Sequence, residues 1–215
     1  MSALQREALR AVLEAYELRQ MPALPGRRND QPAGVLVPIY WDPDPVCVLT
    51  LRQPHMRAHA GEVCFPGGRP EQTDGALLET ALREAREEIG LQRAEVLGAL
   101  SSIPLYTSDY RLFPFVAAID NQTFCPQQSE VARVLRGDII GLLEQEHIDG
   151  IEWSHRDVLS LSPVFVIDDS VCYGATAYVL YELLMVMAPL LDRALPSLRP
   201  GRFTWQDVLP ASFTG

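Results

Sequence analysis

The sequence predicts an α/β protein in which a β-sheet is sandwiched between helices. Apolar, β-rich runs are interspersed with helical patterns, and helical patterns occur before, between and after the strands. Apolar residues make up 47% of the 215 residues, which is normal for a globular protein with a substantial core. The length suits one domain with additions, so we treat residues 1–215 as a single domain.

The N-terminal part predicts a helix followed by a hairpin. Apolar residues at helical spacing indicate an amphipathic helix over about residues 2–19, suited to packing or to an oligomer contact. Met21–Pro32 is rich in proline and predicts a loop. Ala33–Tyr40 and Val46–Arg52 are apolar, β-rich runs around the turn Asp42–Pro45, and this arrangement is typical of a hairpin.

A short strand, a glycine pair and a helix follow. Glu62–Phe65 predicts the strand, which leads into Gly67 and Gly68. Ala76–Ile89 is rich in strong helix formers and contains no Pro or Gly, which predicts a helix. We expect Asp74 to be its N-cap and Gly90 its C-terminal stop.

The second half of the chain continues the mixture of strands and helices. The run 129–135 alternates polar and apolar residues, as a half-buried strand does. The strands predicted here are 96–103, 112–119, 129–135, 151–155 and 162–167, and the last two of these could pair. A short helix is predicted at 137–146, and a long apolar helix begins the C-terminal addition at 172–215.

Composition narrows the function classes. A net charge of −10 argues against a broad nucleic-acid surface. All 18 basic side chains besides His are Arg, which suits bidentate phosphate contacts, although lineage bias would give the same composition. The four cysteines are far apart and no signal peptide is visible, so we expect a reducing, cytoplasmic setting. Glu182 and Pro189 interrupt the longest apolar run, which argues against a membrane span.

Three carboxylates share one face of the predicted helix, because Glu84, Glu87 and Glu88 stand at i, i+3 and i+4. Acidic side chains in a last helical turn oppose the helix dipole, at about 0.3–1 kcal/mol each. A hard divalent cation such as Mg²⁺ or Mn²⁺ would reverse this effect. The alternative is a solvated acidic face with Arg83 and Arg86 as local partners.

The glycine pair and helix together resemble the Nudix box of the Nudix hydrolases. Arg83–Leu91 matches the second half of the box, although Ala85 is small for its apolar place. The first half departs from the pattern, because Gly75 stands where the family has Glu and Gly68 lies one place further back than the family glycine. One residue is inserted, and Asp74 is the nearest acid to the missing Glu.

The segment before the helix is similar to the signature of the coenzyme A pyrophosphatase branch of that family. Val48 replaces its first Leu and Gln53 replaces its Ser, while the spacing is unbroken. The whole motif region is 48–91. The positions that agree with the branch signature are Leu49, Thr50, Arg52, Arg57, Gly61, Val63, Phe65, Pro66, Gly67 and Gly68.

The resemblance implies an α/β/α sandwich with a mixed sheet and a site for Mg²⁺ or Mn²⁺. It assigns Glu84, Glu87 and Glu88 as metal ligands, with the backbone carbonyl of Gly68, or Gly67 given the insertion. Glu87 and Glu88 also count among the catalytic residues it implies, and Arg83 is expected to orient the carboxylates.

Glu130 lies in the region where the branch has a Glu-Val pair, and we expect it to act as base or as a further metal ligand. The alternative for Glu130 is an exposed strand residue. Arg52, Arg57 and Gly61 belong to the implied substrate-binding segment, and the two arginines would bind phosphates or the adenine nucleotide. Their alternative is an ion pair that braces the loop against acids such as Glu62.

Other polar and aromatic residues in the motif region and beyond have two interpretations each. His55 and His59 are expected to be solvated or structural rather than catalytic. Tyr106, Tyr110 and Phe113 could stack an adenine, whereas aromatics near strands usually belong to the core.

The resemblance implies an enzyme that cleaves CoA or acyl-CoA at its diphosphate, giving 3′,5′-ADP and 4′-phosphopantetheine or its acyl derivative. Two alternatives remain: hydrolysis of ADP-ribose, a dinucleotide or a nucleoside triphosphate, and a catalytically silent domain that senses a ligand. The expected partner is a small CoA-like nucleotide, with neither nucleic acid nor membrane, and a homodimer is left open.

Overall fold

The computed structural model describes residues 3–56, 59–155 and 158–209. The helices within these ranges are α1 (Ala3–Ala15), α2 (Leu77–Ile89), α3 (Ile139–Leu143), α4 (Gly174–Leu190) and α5 (Trp205–Val208). The strands are β1 (Gln31–Trp41), β2 (Pro45–Arg52), β3 (Val63–Cys64), β4 (Gly67–Gly68), β5 (Glu95–Ala99), β6 (Ile103–Pro104), β7 (Tyr110–Ala118), β8 (Val131–Asp138), β9 (His147–His155), β10 (Val158–Ile167), β11 (Ser170–Cys172) and β12 (Ser197–Pro200).

The larger sheet is mixed, as the resemblance implied. Its strand order is β3-β2-β1-β7-β5, and β4, β6 and β8 pair with β1, β7 and β2 respectively. The central strand β1 runs antiparallel to β2 and parallel to β7. The predicted hairpin of β1 and β2 is confirmed, with Tyr40 opposite Val46.

Helices cover both faces of this sheet, which confirms the sandwich. Successive residues of a strand point to opposite faces. In β1, Val35, Val37 and Ile39 join a core with apolar residues of α1 and α4, whereas Leu36 and Tyr40 join a second core with residues of α2.

A buried carboxylate connects the helices on the α1–α4 side. Glu182 of α4 is 8% exposed. Its two carboxylate oxygens accept hydrogen bonds from the Tyr16 hydroxyl and the Ser101 backbone amide, both at 2.9 Å. The Ser101 hydroxyl in turn accepts a bond from the Arg19 backbone amide at 2.9 Å. These donors fix α4 against the end of α1 and the loop after β5.

A smaller sheet with the order β11-β10-β9-β12 contains the later strands. The predicted pairing of 151–155 with 162–167 is confirmed only at Ile151, which lies opposite Ser162, because 152–155 pair with 158–161. The sequence did not predict β12 or α5 in the C-terminal tail. Strand β12 is formed by pairing with the distant strand β9 and ends in a proline, so it has no clear local signal. No helix in the described ranges combines the length and the apolar character needed to cross a membrane.

Several boundaries differ from the sequence predictions. The N-terminal helix ends at Ala15, and the strand predicted at 96–103 is divided into β5 and β6. The strand predicted at 129–135 begins at Val131, so Glu130 lies before it. The helix predicted at 137–146 begins only at Ile139, because Gly137 is paired in β8, where a side chain would meet the Cys47 thiol.

Candidate active site

Glycines allow three backbone segments to meet at the start of the site. Gly67 and Gly68 form β4, which pairs with β1 at Gly34. A Cβ atom at Gly34 would overlap the Leu77 carbonyl at the start of α2, and one at Gly68 would overlap the Glu84 carboxylate. The missing side chains therefore let α2 approach the sheet and let the Glu84 carboxylate lie against the Gly68 backbone.

Helix α2 places its three clustered carboxylates at different depths. Ala81, Ala85 and Ile89 are fully buried against the sheet, which accounts for a small residue at position 85. Glu88 is 4% exposed, whereas the Glu87 side chain is 59% exposed and Glu84 lies between these extremes. Gly90 has φ 65° and ends the helix, as predicted.

Arg83 is surrounded by acids. Its guanidinium lies 3.1 Å from Asp74, 3.0 Å from Glu84 and 3.1 Å from Glu87, and it also donates to the Arg69 carbonyl at 3.1 Å. Hydrogen bonding to Asp74, followed by the charge of Glu84, raises the pKa of Arg83. Arg83 therefore fixes the positions of the carboxylates on α2 relative to the loop before it.

Asp74 is not the N-cap that the sequence predicted. Helix α2 follows Ala76, which makes no side-chain capping bond. The buried Asp74 carboxylate instead accepts bonds from the Glu71 amide and the Thr80 hydroxyl, both at 2.9 Å, and from Arg83. The Arg83 bonds come first among the causes that lower the pKa of Asp74 to about 2. The acid nearest to the missing box Glu is thus the one that holds Arg83.

Glu88 is buried with little compensation. Its carboxylate accepts a long hydrogen bond from the Gly67 amide at 3.3 Å and lies 3.6 Å from Nη1 of Arg52. Burial raises the pKa of Glu88 to about 8, opposed by the charge of Arg52 and reinforced by that of Glu84. Burial likewise raises the pKa of Glu84, opposed by Arg83. The protein alone therefore stabilises the charged forms of these two carboxyl groups only in part.

Glu130 belongs to a loop tied to both neighbouring elements. The Gln127 amide donates to the Glu88 carbonyl at 2.9 Å, and the Gln53 amide at the end of β2 donates to the Glu130 carbonyl at 2.8 Å. The charge of Glu130 is among the causes that raise the pKa of both Glu84 and Glu88. Glu130 therefore interacts electrostatically with Glu84 and Glu88, and it lies in a turn rather than in the predicted strand. Its role as base or further metal ligand stays a prediction.

Arg52 connects the segment before the glycine pair to the box. It ends β2, and its Nε atom is buried without a hydrogen-bond partner among the described residues. Arg57, predicted beside it, lies outside the described residues. Gly61 is exposed, with φ 71°, in a turn where the His59 ring nitrogen contacts the Glu62 carboxylate at 2.8 Å. A substrate role for Gly61 stays a prediction.

The donor set fits a hard divalent cation. Among the residues that the structure describes, no three His, Cys, Asp or Glu side chains already converge on one point, and the Glu87 carboxylate faces Arg83. Glu84 and Glu88 nevertheless supply adjacent, insufficiently compensated oxygen donors, and Gly68 leaves the Glu84 carboxylate room against the backbone. Oxygen ligands of this kind are those that Mg²⁺ and Mn²⁺ prefer.

The chain is similar to known proteins in sequence and in structure. Residues 30–168 match the family model described as "NUDIX domain". The chain is 39% identical over 130 residues to an "Uncharacterized Nudix hydrolase NudL" of Pectobacterium atrosepticum, a match that covers 59% of this chain and 67% of that protein. It is 32% identical over 186 residues to a protein of the same description from Salmonella newport, covering 83% of this chain and 94% of that one. A similar match to a Yersinia enterocolitica relative spans 63% of that relative's length.

The similar solved structures are more distant. A MutT/nudix family protein from Enterococcus faecalis aligns with a TM-score of 0.49 at 14% identity, covering 89% of this chain and 75% of that one. The NUDIX domain of Shewanella oneidensis NrtR, solved with ADP ribose, aligns with a TM-score of 0.43 at 17% identity, covering 61% and 80%. The family assignment therefore depends on the sequence matches.

Proposed function

Because the chain belongs to the Nudix hydrolase family, whose members act on phosphorus anhydride bonds, we propose that it hydrolyses the diphosphate of CoA or acyl-CoA. The products would be 3′,5′-ADP and 4′-phosphopantetheine or its acyl derivative. One observation supports this choice of substrate. Arg52, from the segment that resembles the CoA pyrophosphatase branch, lies 3.6 Å from Glu88 of the box, and its Nε has no hydrogen-bond partner among the described residues.

Nudix enzymes generally use divalent ions such as Mg²⁺ or Mn²⁺. In this proposal Glu84, Glu87 and Glu88 hold the cation, together with the backbone carbonyl of Gly68. When bound, the ion supplies charge neutralisation at the diphosphate and lowers the pKa of the attacking water. Glu87 must exchange its contact with Arg83 for this role, which its exposed position permits.

The remaining residues orient the reactants, because phosphoryl transfer depends mainly on positioning and electrostatic stabilisation. Glu130 accepts the proton of the attacking water or completes the ligand set. Arg83, held by Asp74, keeps Glu84 in place against Gly68. Arg52 donates to a substrate phosphate, and Arg57 is proposed to do the same.

A substrate panel tests the proposal. Purified protein is incubated with CoA, an acyl-CoA, 3′-dephospho-CoA, ADP-ribose, a dinucleotide and a nucleoside triphosphate, each with Mg²⁺ and with Mn²⁺, and products are resolved by mass. Preferred cleavage of CoA or acyl-CoA to 3′,5′-ADP supports it. Preferred cleavage of another substrate would replace it, and turnover of none would favour a silent ligand-sensing domain.

Arg52 provides a sharper test of substrate choice. If Arg52 holds the 3′-phosphate of CoA, Arg52→Ala should lower kcat/KM for CoA roughly 10- to 100-fold more than for 3′-dephospho-CoA, as expected for a charge-assisted contact. Arg52→Lys is the matched control, because it keeps a cation beside Glu88 but loses the guanidinium fork. Equal losses on both substrates would contradict the 3′-phosphate role, and Arg57→Ala should be measured in parallel.

A further inference from the structure

Tyr106 projects an aromatic ring into solvent from the loop between β6 and β7. The residue is 62% exposed. A single exposed apolar side chain is common on protein surfaces and says little by itself. The surroundings of Tyr106 distinguish it from other exposed apolar residues such as Leu4 of α1, which is 81% exposed.

One buried side chain, that of Asn29, anchors the backbone of the loop that carries Tyr106. Asn29 is 3% exposed, and its amide nitrogen donates to the carbonyls of Leu105 at 2.9 Å, Ser108 at 3.1 Å and Tyr110 at 3.0 Å. The Leu105 amide also donates to the Tyr110 carbonyl at 2.9 Å, which closes the loop. A loop whose backbone is held in this way requires little backbone ordering when a ligand binds.

The same loop adjoins the acidic cluster through Arg69. Arg69 follows Gly68, against which the Glu84 carboxylate lies, and adjacent Cα atoms are about 3.8 Å apart. The Arg69 carbonyl accepts a bond from Arg83 at 3.1 Å. Its guanidinium carbon lies 5.3 Å from the centre of the Tyr110 ring, over its face. One side chain thus spans the distance between the acidic cluster and the Tyr106 loop.

Basic side chains surround the loop in a protein of net charge −10. Nε of Arg27 donates to the Tyr106 carbonyl at 2.9 Å, and Arg28 pairs with Asp109 at 3.4 Å. Arg27 and Arg69 are both exposed. An exposed aromatic ring on an anchored loop that Arg27 and Arg69 both contact offers stacking to a base and hydrogen bonds to phosphate, which is the chemistry of nucleotide binding.

We infer that this loop is the nucleoside subsite: the base of the substrate stacks on Tyr106, and Arg69 and Arg27 face the phosphates of the same nucleotide. The inference rests on the proposed function, in that the base is the adenine of the substrate's nucleotide half. Because aromatic stacking tolerates any base, Tyr106 supplies affinity for that half of the substrate and leaves the choice among bases to other contacts.

Calorimetric titration separates the two halves of the substrate. 3′,5′-ADP and 4′-phosphopantetheine are titrated into wild type, Tyr106→Ala and Tyr106→Phe, with Leu4→Ala as an exposed-residue control. Tyr106→Ala should weaken 3′,5′-ADP binding roughly 5- to 100-fold and leave phosphopantetheine binding unchanged. Tyr106→Phe keeps the stacking ring, so it and Leu4→Ala should bind as wild type does. Wild-type affinity for 3′,5′-ADP in Tyr106→Ala, or an equal loss for both ligands, would overturn the inference.

AMP as a third titrant separates failure of this inference from failure of the proposed function. If the protein does not hydrolyse CoA but Tyr106→Ala weakens AMP binding while Tyr106→Phe does not, the subsite stands and the substrate is another adenine nucleotide. If wild type binds neither AMP nor 3′,5′-ADP, the subsite is wrong. In an active enzyme Tyr106→Ala should raise KM with little change in kcat, as expected for uniform binding of ground and transition states.

Discussion

Two buried glutamates lie on opposite sides of the larger sheet, and their surroundings differ. Glu182, on the α1–α4 side, accepts hydrogen bonds of 2.9 Å from both Tyr16 and Ser101. Glu88, on the α2 side, has one amide donor at 3.3 Å and one arginine at 3.6 Å. Both are less than 10% exposed, so burial alone does not distinguish them.

The difference predicts that Glu182 contributes to structure and that Glu88 contributes to chemistry. A buried carboxylate with two short donors ties elements together, whereas one with weak donors and acidic neighbours costs stability in the absence of a cation. Glu84 and Glu130 add to the charge around Glu88, whereas the described surroundings of Glu182 include the donors it requires. Perturbed carboxylates of this kind concentrate at functional sites.

The largest effect is expected for Glu88→Gln. Loss of a direct ligand should lower metal-supported hydrolysis by more than about 100-fold, since even outer-shell partners of a metal cost about 10- to 100-fold. The metal-free protein should instead become more stable, by on the order of 1–3 kcal/mol, when the buried charge is removed.

The direction of this stability change follows from the pKa of Glu88, which folding raises to about 8. Its contribution to metal-free stability is present below the unfolded value near 4.5 and is lost as the pH rises through about 8, so the gain in Glu88→Gln should be larger at pH 9 than at pH 5. Chemical denaturation in EDTA at both pH values, with Mn²⁺ titration, measures this. A large fall in metal-free stability with unchanged Mn²⁺ affinity would mean that Glu88 is structural, like Glu182.

Glu130→Gln should lower kcat by roughly 10²–10⁴-fold with a smaller change in KM, because a general base acts mainly in the transition state. Steady-state kinetics on the preferred substrate measure the two constants. Gln127→Ala is a matched control in the same loop, since it removes a side chain but keeps the backbone bond to the Glu88 carbonyl. Wild-type turnover in Glu130→Gln would exclude Glu130 from the mechanism.

Asp74→Asn should reduce hydrolysis about 10- to 100-fold by loosening Arg83, the range typical of residues that orient metal ligands. Folding depresses the pKa of Asp74, so its stabilising effect is present above about pH 4 and is lost as the pH falls through about 2. Asp74→Glu, which keeps the charge, should recover part of the activity. Steady-state kinetics and Mn²⁺ titration of Asp74→Asn test this prediction. Unchanged kinetic constants and Mn²⁺ affinity would mean that Asp74 only stabilises the loop before α2.

The smallest effect on catalysis is expected for Glu182→Leu. This change leaves the Tyr16 hydroxyl and the Ser101 amide without their acceptor, which should cost about 1–3 kcal/mol of unfolding free energy. Hydrolysis at a temperature where the protein is folded should stay near wild type. Tyr16→Phe, which removes one donor, should cost less. A selective loss of metal affinity in Glu182→Leu would show that the two glutamates are not independent.

Local signals in the sequence were sufficient for the elements that carry the carboxylates. Helix formers followed by Gly90 predicted α2 and its end, and apolar, β-rich runs around Asp42–Pro45 predicted the β1–β2 hairpin. These features depend on neighbours in the chain, which a sequence displays directly.

Contacts between distant residues were not predictable in the same way. Asp74 was expected to cap α2, but its carboxylate is held by Thr80 and Arg83. Asn29 lies in a segment that reads only as a polar, proline-rich loop, yet it is buried against a loop almost eighty positions away. Strand β12 exists because β9 offers it a partner. In each case the partner decides the structure, and no local pattern identifies the partner.

The parallel pairing of β1 with β7 also connects the strand beneath the site to a distant part of the chain. Gln31 lies opposite Tyr110, 79 positions away, and the whole of α2 belongs to the intervening segment. Closure of so long a loop must precede this pairing, and such non-local contacts slow folding. A nascent chain that has not yet reached β7 therefore lacks one neighbour of β1, the strand with which Gly67 and Gly68 pair.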